Sequence, residues 1–342
     1  MKNLKVNILV DYREQFYSSV RSSTIGFDLD KVKSNFEDNG CYVDFLNFTQ
    51  VDFNADYNGV IFLYQSSEDR DLYYKSYIQD VIYFLELNGA ILIPSFKYFM
   101  CHHNKVMQEL LIKKQRFECL KVLNSFTFGT YEELKKYGYS GTYPVVLKSA
   151  SGCTSKGVSL IRNKEELIRN VKKITASFNL HDYLRFKYKE HFKKNYISES
   201  TNRQKFILQE FVPGLSGDYK VLVYSGKYYV LNRKNRKNDF RASGSGMFEF
   251  LSEPPVMILE AAKEIFNKLS IPYISIDLAL NNDEVYLIEY QMLMFGTLTL
   301  EKSEQYFEKN NGVWRSVAET PDLEKEFVNS VLFYIKNNNL NA

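Results

Sequence analysis

Long hydrophobic runs are missing from this sequence. No apolar stretch approaches the ~20 residues needed to span a bilayer. Residues 1–11, MKNLKVNILVD, hold too short an apolar segment for a signal peptide and no small-residue cleavage site. Cysteine is scarce. Cys41, Cys101, Cys119 and Cys153 are scattered with no C-x-x-C pair, which argues for free thiols in a reducing cytoplasm rather than a disulfide framework. His102, His103, His181 and His191 show no metal-site spacing among themselves, and nothing in them suggests zinc. The net charge of +3 is too small to argue for a nucleic-acid partner. Glycine/proline linkers, internal repeats and low-complexity segments are absent, so the subdomains of this 342-residue chain are expected to share one cleft. These absences leave a cytoplasmic protein with no membrane span. Its 45% hydrophobic and 25% charged residues are those of a soluble globular chain.

What is present is a rhythm of strands and helices. Residues 4–10 form a short apolar strand, 28–39 a helix stopped by Gly40, and 41–48 and 60–64 two more strands. A helix over 72–87 and a strand over 90–94 complete the series. Strands alternating with helices imply βαβ units and a parallel sheet, whose ligands lie beyond the carboxyl ends of the strands. Arg13, Glu14 and the polar Gln65-Ser66-Ser67-Glu68 segment fall there and are candidate substrate contacts, Ser66 and Ser67 among them. Lys105 opens the next helix, where a lysine opposes the helix dipole unless an anion sits beside it. Residues 178–205 interleave seven lysines and arginines with aromatics. They read as an amphipathic insertion with a solvated face, with a clamp for an acidic substrate as the alternative.

Residues 143–160, YPVVLKSASGCTSKGVSL, read as strand, glycine-bearing loop, strand. Small residues let backbone N–H groups approach an anion, and Lys148 and Lys156 supply charge, so the loop suits a phosphate chain. It is not a P-loop, because Lys156 precedes the second glycine and a strand follows. Downstream, residues 274–291 form a hairpin. With its turn near Asp283, Asp277 and Glu289 pair across the strands with Cβ atoms ~5 Å apart. Like charges in apolar runs repel, and a divalent cation removes that cost. Mg²⁺ held by carboxylates and phosphate oxygens fits, with Gln291 on the same face.

Taken together these features resemble the ATP-grasp superfamily, in particular its D-alanine–D-alanine ligase and glutathione synthetase type of carboxylate–amine ligase. The resemblance spans about residues 91–291. It implies an α/β (α+β) chain: a Rossmann-like domain over 1–100, a linker helix, glycine-loop lid and basic insertion over 101–205, and a catalytic subdomain over 206–342. It also implies that Lys105 and Lys148 contact ATP phosphates under the loop of Ser155, Lys156 and Gly157. Gln209-Glu210-Phe211-Val212 is similar to the hinge that holds adenine, and Asp218 and Lys220 to the Asp-x-Arg/Lys element near the ribose and phosphates. Asn238-Asp239-Phe240-Arg241 resembles the family's Asp-Phe-Arg, whose arginine stabilises the transferred phosphate. Asp277, Glu289 and Gln291 match the Asp…Glu-x-Asn ligands for one or two magnesium ions.

The implied activity joins a small-molecule carboxylate, activated as an acylphosphate, to an amine. The alternatives are an ATP-grasp kinase and a catalytically silent nucleotide-binding module. Many such proteins form homodimers through the N-terminal domain. The chain departs from the pattern in three places: Asn104 stands where aspartate is usual, Gln291 where asparagine is usual, and 292–297 lack the proline-glycine near the acceptor.

Overall fold

The first 93 residues alternate strand and helix, and the chain folds them into one parallel sheet. The computed structural model describes residues 4–17, 26–69, 71–152, 157–177, 179–237 and 239–340. Strands β1 (Leu4–Val10), β2 (Cys41–Asn47), β3 (Ile61–Leu63) and β4 (Ile91–Ile93) lie in the order β2-β1-β3-β4. Helices α1 (Leu29–Asp38) and α2 (Tyr73–Leu87) make two of the three crossovers, while β2 passes to β3 with only the short 3-10 turn Phe48–Gln50 between them. The Asp28 carboxylate caps α1 by accepting from the Lys31 N–H, and Gly40 turns the chain out of it at φ 74°.

A second sheet follows the linker helices α3 (Phe96–Phe99) and α4 (Lys105–Ile112). Strand β5 (Lys121–Val122) leaves for the third sheet. Then β6 (Ser125–Phe128), helix α5 (Tyr131–Tyr137) and the hairpin β7 (Val145–Ser149) and β8 (Val158–Ile161) are laid down. Helix α6 (Lys164–Thr175) covers this sheet with Leu167 and Val171. Of the basic insertion over 178–205, for which the sequence offered no regular element, residues Leu180–Phe192 form the helix α7. Only Phe186 is buried on it, while Leu184, Tyr188 and Phe192 are exposed. Strand β9 (Phe206–Glu210) returns to the middle of the sheet, giving the antiparallel order β6-β9-β7-β8. A boundary at residue 206 therefore falls at the edge of a central strand of this sheet.

The third sheet holds the rest: β10 (Gly217–Tyr224), β11 (Lys227–Lys234), β12 (Phe248–Phe250), β13 (Tyr273–Asn281), β14 (Glu284–Gln291), β15 (Gln305–Asn310) and β16 (Val313–Ala318). Its order is β16-β15-β11-β10-β13-β14-β5, with β12 on β11. Helix α8 (Val256–Leu269) packs on one face against Val221, Val223, Ile274 and Ile276. The other face, with Leu222, Tyr224, Tyr229 and Tyr273, joins the core of the first sheet and the last helix, α10 (Leu323–Asn337), which follows the short α9 (Leu298–Glu301). Both faces of these strands are covered, which is why they read as nearly unbroken apolar runs rather than alternating ones. Among the described residues no helix is long and apolar enough to cross a membrane.

Candidate active site

One face of the third sheet changes character along its strands. It is aromatic at Tyr224, Tyr229 and Tyr273, and charged two pairs further on. Lys220 pairs with Asp277 across β10 and β13, and Asp218 with Arg233 across β10 and β11. Across β13 and β14 Asp277 faces Glu289. The hairpin turn, Asn282 and Asp283 at φ 49° and 61°, sets a register that alone would place Ile288 opposite Asp277. A β-bulge between Asp277 and Leu278 shifts the pairing by one residue and returns Glu289 to the face of Asp277.

Arg233 is the hub of this face. Its guanidinium donates to both oxygens of Asp218 at 2.6 and 2.9 Å and lies 2.8 Å from Asp277 Oδ2. Lys220 adds a contact to Asp277 Oδ1 at 3.4 Å. Burial raises the Asp277 carboxyl, but Arg233 and Lys220 outweigh it and hold it down at about 2. Burial pushes Asp218 up to about 6 against the pull of the same arginine. Arg233 was not among the residues singled out from sequence, although the signal was there. A two-residue turn at Ser225-Gly226 sets it directly opposite Asp218.

Two lysines approach from the linker and the second sheet. Asn104 caps α4 by accepting from the Met107 N–H, so the amide at this position does the capping of the usual aspartate. It presents Lys105, whose Nζ lies 3.2 Å from Glu289 Oε1 and donates to the Gly152 carbonyl at 3.0 Å. Lys148 on β7 is buried and donates to the Ile288 carbonyl at 3.2 Å. Burial lowers its pKa, and Glu289 opposes that. Glu289 thus holds two ammonium groups that would otherwise repel.

The loop after β11 closes a third side. Arg241 is braced by Asp239, with Nε–O distances of 2.9 and 3.0 Å, and donates to the Val158 carbonyl of β8 at 3.3 Å. It ties this loop to the glycine hairpin. Gly157 sits at φ 77° beside Ser149, whose Cβ would lie 3.0 Å from any added Cβ, so that position needs glycine. Ser155, Lys156 and Asn238 lie outside the described residues.

These groups border a cavity of about 560 Å³, a size usual for small-molecule sites. The 209–212 segment, Lys105, Lys148, Asp218, Lys220, Arg241, Asp277, Glu289 and Gln291 all line it. Apolar walls come from Leu123, Val146, Val158 and Ile288, which the sequence did not single out. At the hinge, the Glu210 carboxylate accepts from the Asn124 backbone and side-chain N–H groups at 3.2 and 2.9 Å, while Gln209 Nε2 donates to the buried Glu109. Arg13, Glu14, Ser66 and Ser67 do lie beyond the carboxyl ends of β1 and β3, but not on this cavity. Arg13 forks onto Asp11, Glu14 is an exposed turn residue, Ser66 is buried, and Ser67 caps the Asp69 N–H.

No family model matches the chain. Solved structures do. A RiPP-associated ATP-grasp ligase of Chryseobacterium gregarium, in complex with ADP and a leader and core peptide, superposes with a TM-score of 0.53 over 95% of each chain at 14% identity. The chain has the ATP-grasp fold. N5-carboxyaminoimidazole synthetase of Staphylococcus aureus, complexed with ADP, matches at TM-score 0.53 and 10% identity, covering 98% of this chain and 78% of its own. The macrocyclase MdnC of Microcystis aeruginosa, bound with the precursor peptide MdnA, matches at 0.52 and 12%, covering 96% and 99%. Within this fold the cavity lies among the glycine hairpin, the hinge and the carboxylate pair. Among the described residues five acidic and five basic side chains line it, so these carry no surplus positive charge. The paired carboxylates offer oxygen donors suited to Mg²⁺, and the Gln291 Nε2 donates to Glu289 Oε1 at 3.5 Å on the same face.

Proposed function

We propose that this chain is an ATP- and Mg²⁺-dependent ligase that joins a carboxylate to an amine. The observation that carries the reading is the convergence of Lys105, Lys148, Arg241, Asp277 and Glu289 on one cavity beside a glycine hairpin. A substrate carboxylate oxygen takes the γ-phosphoryl group of ATP, the bond to ADP breaks, and an acylphosphate forms. The amine then attacks the acyl carbon, expels inorganic phosphate and loses its proton.

Little covalent chemistry falls to the protein; it positions the reactants and neutralises charge. Lys105 and Lys148 offset the charge of the phosphate chain, and Arg241 stabilises the transferring phosphoryl group. Asp277, Glu289 and Gln291 would hold Mg²⁺, which supplies charge neutralisation between the terminal phosphates. The 209–212 hinge would hold the adenine through backbone groups and Glu210, with Asp218 and Lys220 near the ribose and phosphates. The tether between Arg241 and Val158 couples the cationic loop to the hairpin, which would exclude water from the acylphosphate.

Past Gln291, Met292 to Phe295 are buried in the two large cores and only Gly296 reaches the cavity, so acceptor contacts there fall to backbone. The test is ADP release with Mg²⁺ across amino acids, small carboxylates and peptides, the last because two of the similar structures hold peptides. ADP that appears only with both a carboxylate and an amine supports the ligase. ADP with one substrate and no free phosphate makes the protein a kinase.

A further inference from the structure

A second group of ionisable side chains lies outside the cavity, at the carboxyl edge of the first sheet. Glu68 follows β3, and His102 and His103 occupy the turn between α3 and α4. Histidine spacing alone gave no sign of a metal, because the third member stands far upstream at position 68. In three dimensions one donor atom from each residue lies within 4.8 Å of the others. His103 Nε2 is 3.3 Å and His102 Nε2 3.6 Å from the same oxygen, Glu68 Oε1. His102 is 7% exposed, and both of its ring nitrogens lack a hydrogen-bond partner. Buried polar atoms of this kind call for a partner.

A metal ion supplies one. A tetrahedral ion ~2.1 Å from each donor sets neighbouring ligand atoms about 3.4 Å apart, close to both measured separations. We propose that Glu68, His102 and His103 form a binding site for a divalent transition-metal ion of the zinc class, separate from the magnesium ligands of the cavity. Two imidazoles and a carboxylate select such an ion over Mg²⁺, which prefers oxygen ligands alone. Lys75 fixes the turn by donating to the His102 carbonyl. Glu68 is about one-third exposed, and three protein ligands leave the fourth position of a tetrahedral ion for water or an oxygen anion. The site uses no residue of the nucleotide cavity and stands independently of the ligase reading.

The full chain, stripped with a chelator, is titrated with Zn²⁺ in excess Mg²⁺, and with Co²⁺ to read visible absorption. One Zn²⁺ per chain and a raised thermal midpoint are expected. Glu68→Gln and His103→Ala, both at partly exposed positions, lower the affinity at least about 100-fold, the upper loss that outer-shell changes alone cause. Circular dichroism confirms that they fold, and Glu289→Gln leaves the affinity unchanged. Absence of saturable binding overturns the site. So does binding that survives Glu68→Gln and His103→Ala, or binding that is lost in Glu289→Gln.

Discussion

The cavity around Asp277 and Glu289 and the Glu68–His102–His103 cluster both gather buried ionisable groups, yet they balance charge in opposite ways. In the cavity Asp218 and Asp277 share Arg233, and Glu289 sits between Lys105 and the Lys148 strand. Among the described residues the groups there neutralise one another. In the cluster one carboxylate faces two imidazoles, one of them without hydrogen bonds. The first arrangement pairs every charge it buries; the second leaves both ring nitrogens of a buried imidazole without a hydrogen bond.

The sharpest way to break the comparison is at Glu289. Glu289→Ala removes the counter-ion of Lys105 and a proposed magnesium ligand together, and ADP formation should fall below detection while zinc binding persists. A fully active variant would sink the metal assignment. Arg233→Met strands two buried carboxylates and should cost about 3–5 kcal/mol, read from urea unfolding. A loss under 1 kcal/mol would mean that Arg233 is not their hub.

Lys75, beside the cluster, tests the other region. Burial, with a smaller push from Lys205, holds it down at about 8 against an ordinary 10.5. Between those values the unfolded chain keeps a proton that the folded chain has released, so stability rises with pH. The gain approaches about 1.4 kcal/mol per unit and should vanish in Lys75→Met, compared by unfolding at pH 8 and pH 10. Equal slopes would show that Lys75 is solvated. The smallest effect lies outside both regions. Thr130 caps α5 by accepting from the Glu133 N–H, and Thr130→Ala should cost about 1 kcal/mol with neither ATP nor zinc affinity changed.

The difference also explains what could be read from the sequence. The charged pairs of the third sheet were legible because they lie on adjacent strands, where period-2 alternation and a turn fix who faces whom, whereas Lys105, Lys148 and Arg241 come from other elements. Counting from Ser225-Gly226 pairs Asp218 with Arg233. Counting from Asn282-Asp283 misses Glu289 by one, and only the bulge at Asp277 restores it. Glu68, by contrast, meets His102 and His103 through loops, and no periodicity links a loop after β3 to a turn before α4. Helix α7 escaped because its burial is confined to Phe186, so its apolar residues mark no buried face. Arg13 and Ser66 were placed correctly beyond their strands, but polarity at a strand end cannot tell a ligand contact from a residue that serves the fold, as Arg13 does on Asp11.

The central claim is that a carboxylate is activated on the ATP side of this cavity. Hydroxylamine traps acylphosphates, so it can replace the amine in a reaction with ATP, Mg²⁺ and the carboxylate that supports ADP release. A hydroxamate formed in step with ADP, and absent in Arg241→Ala, is the predicted result. ADP formed with a stable phosphorylated product and no hydroxamate would contradict it.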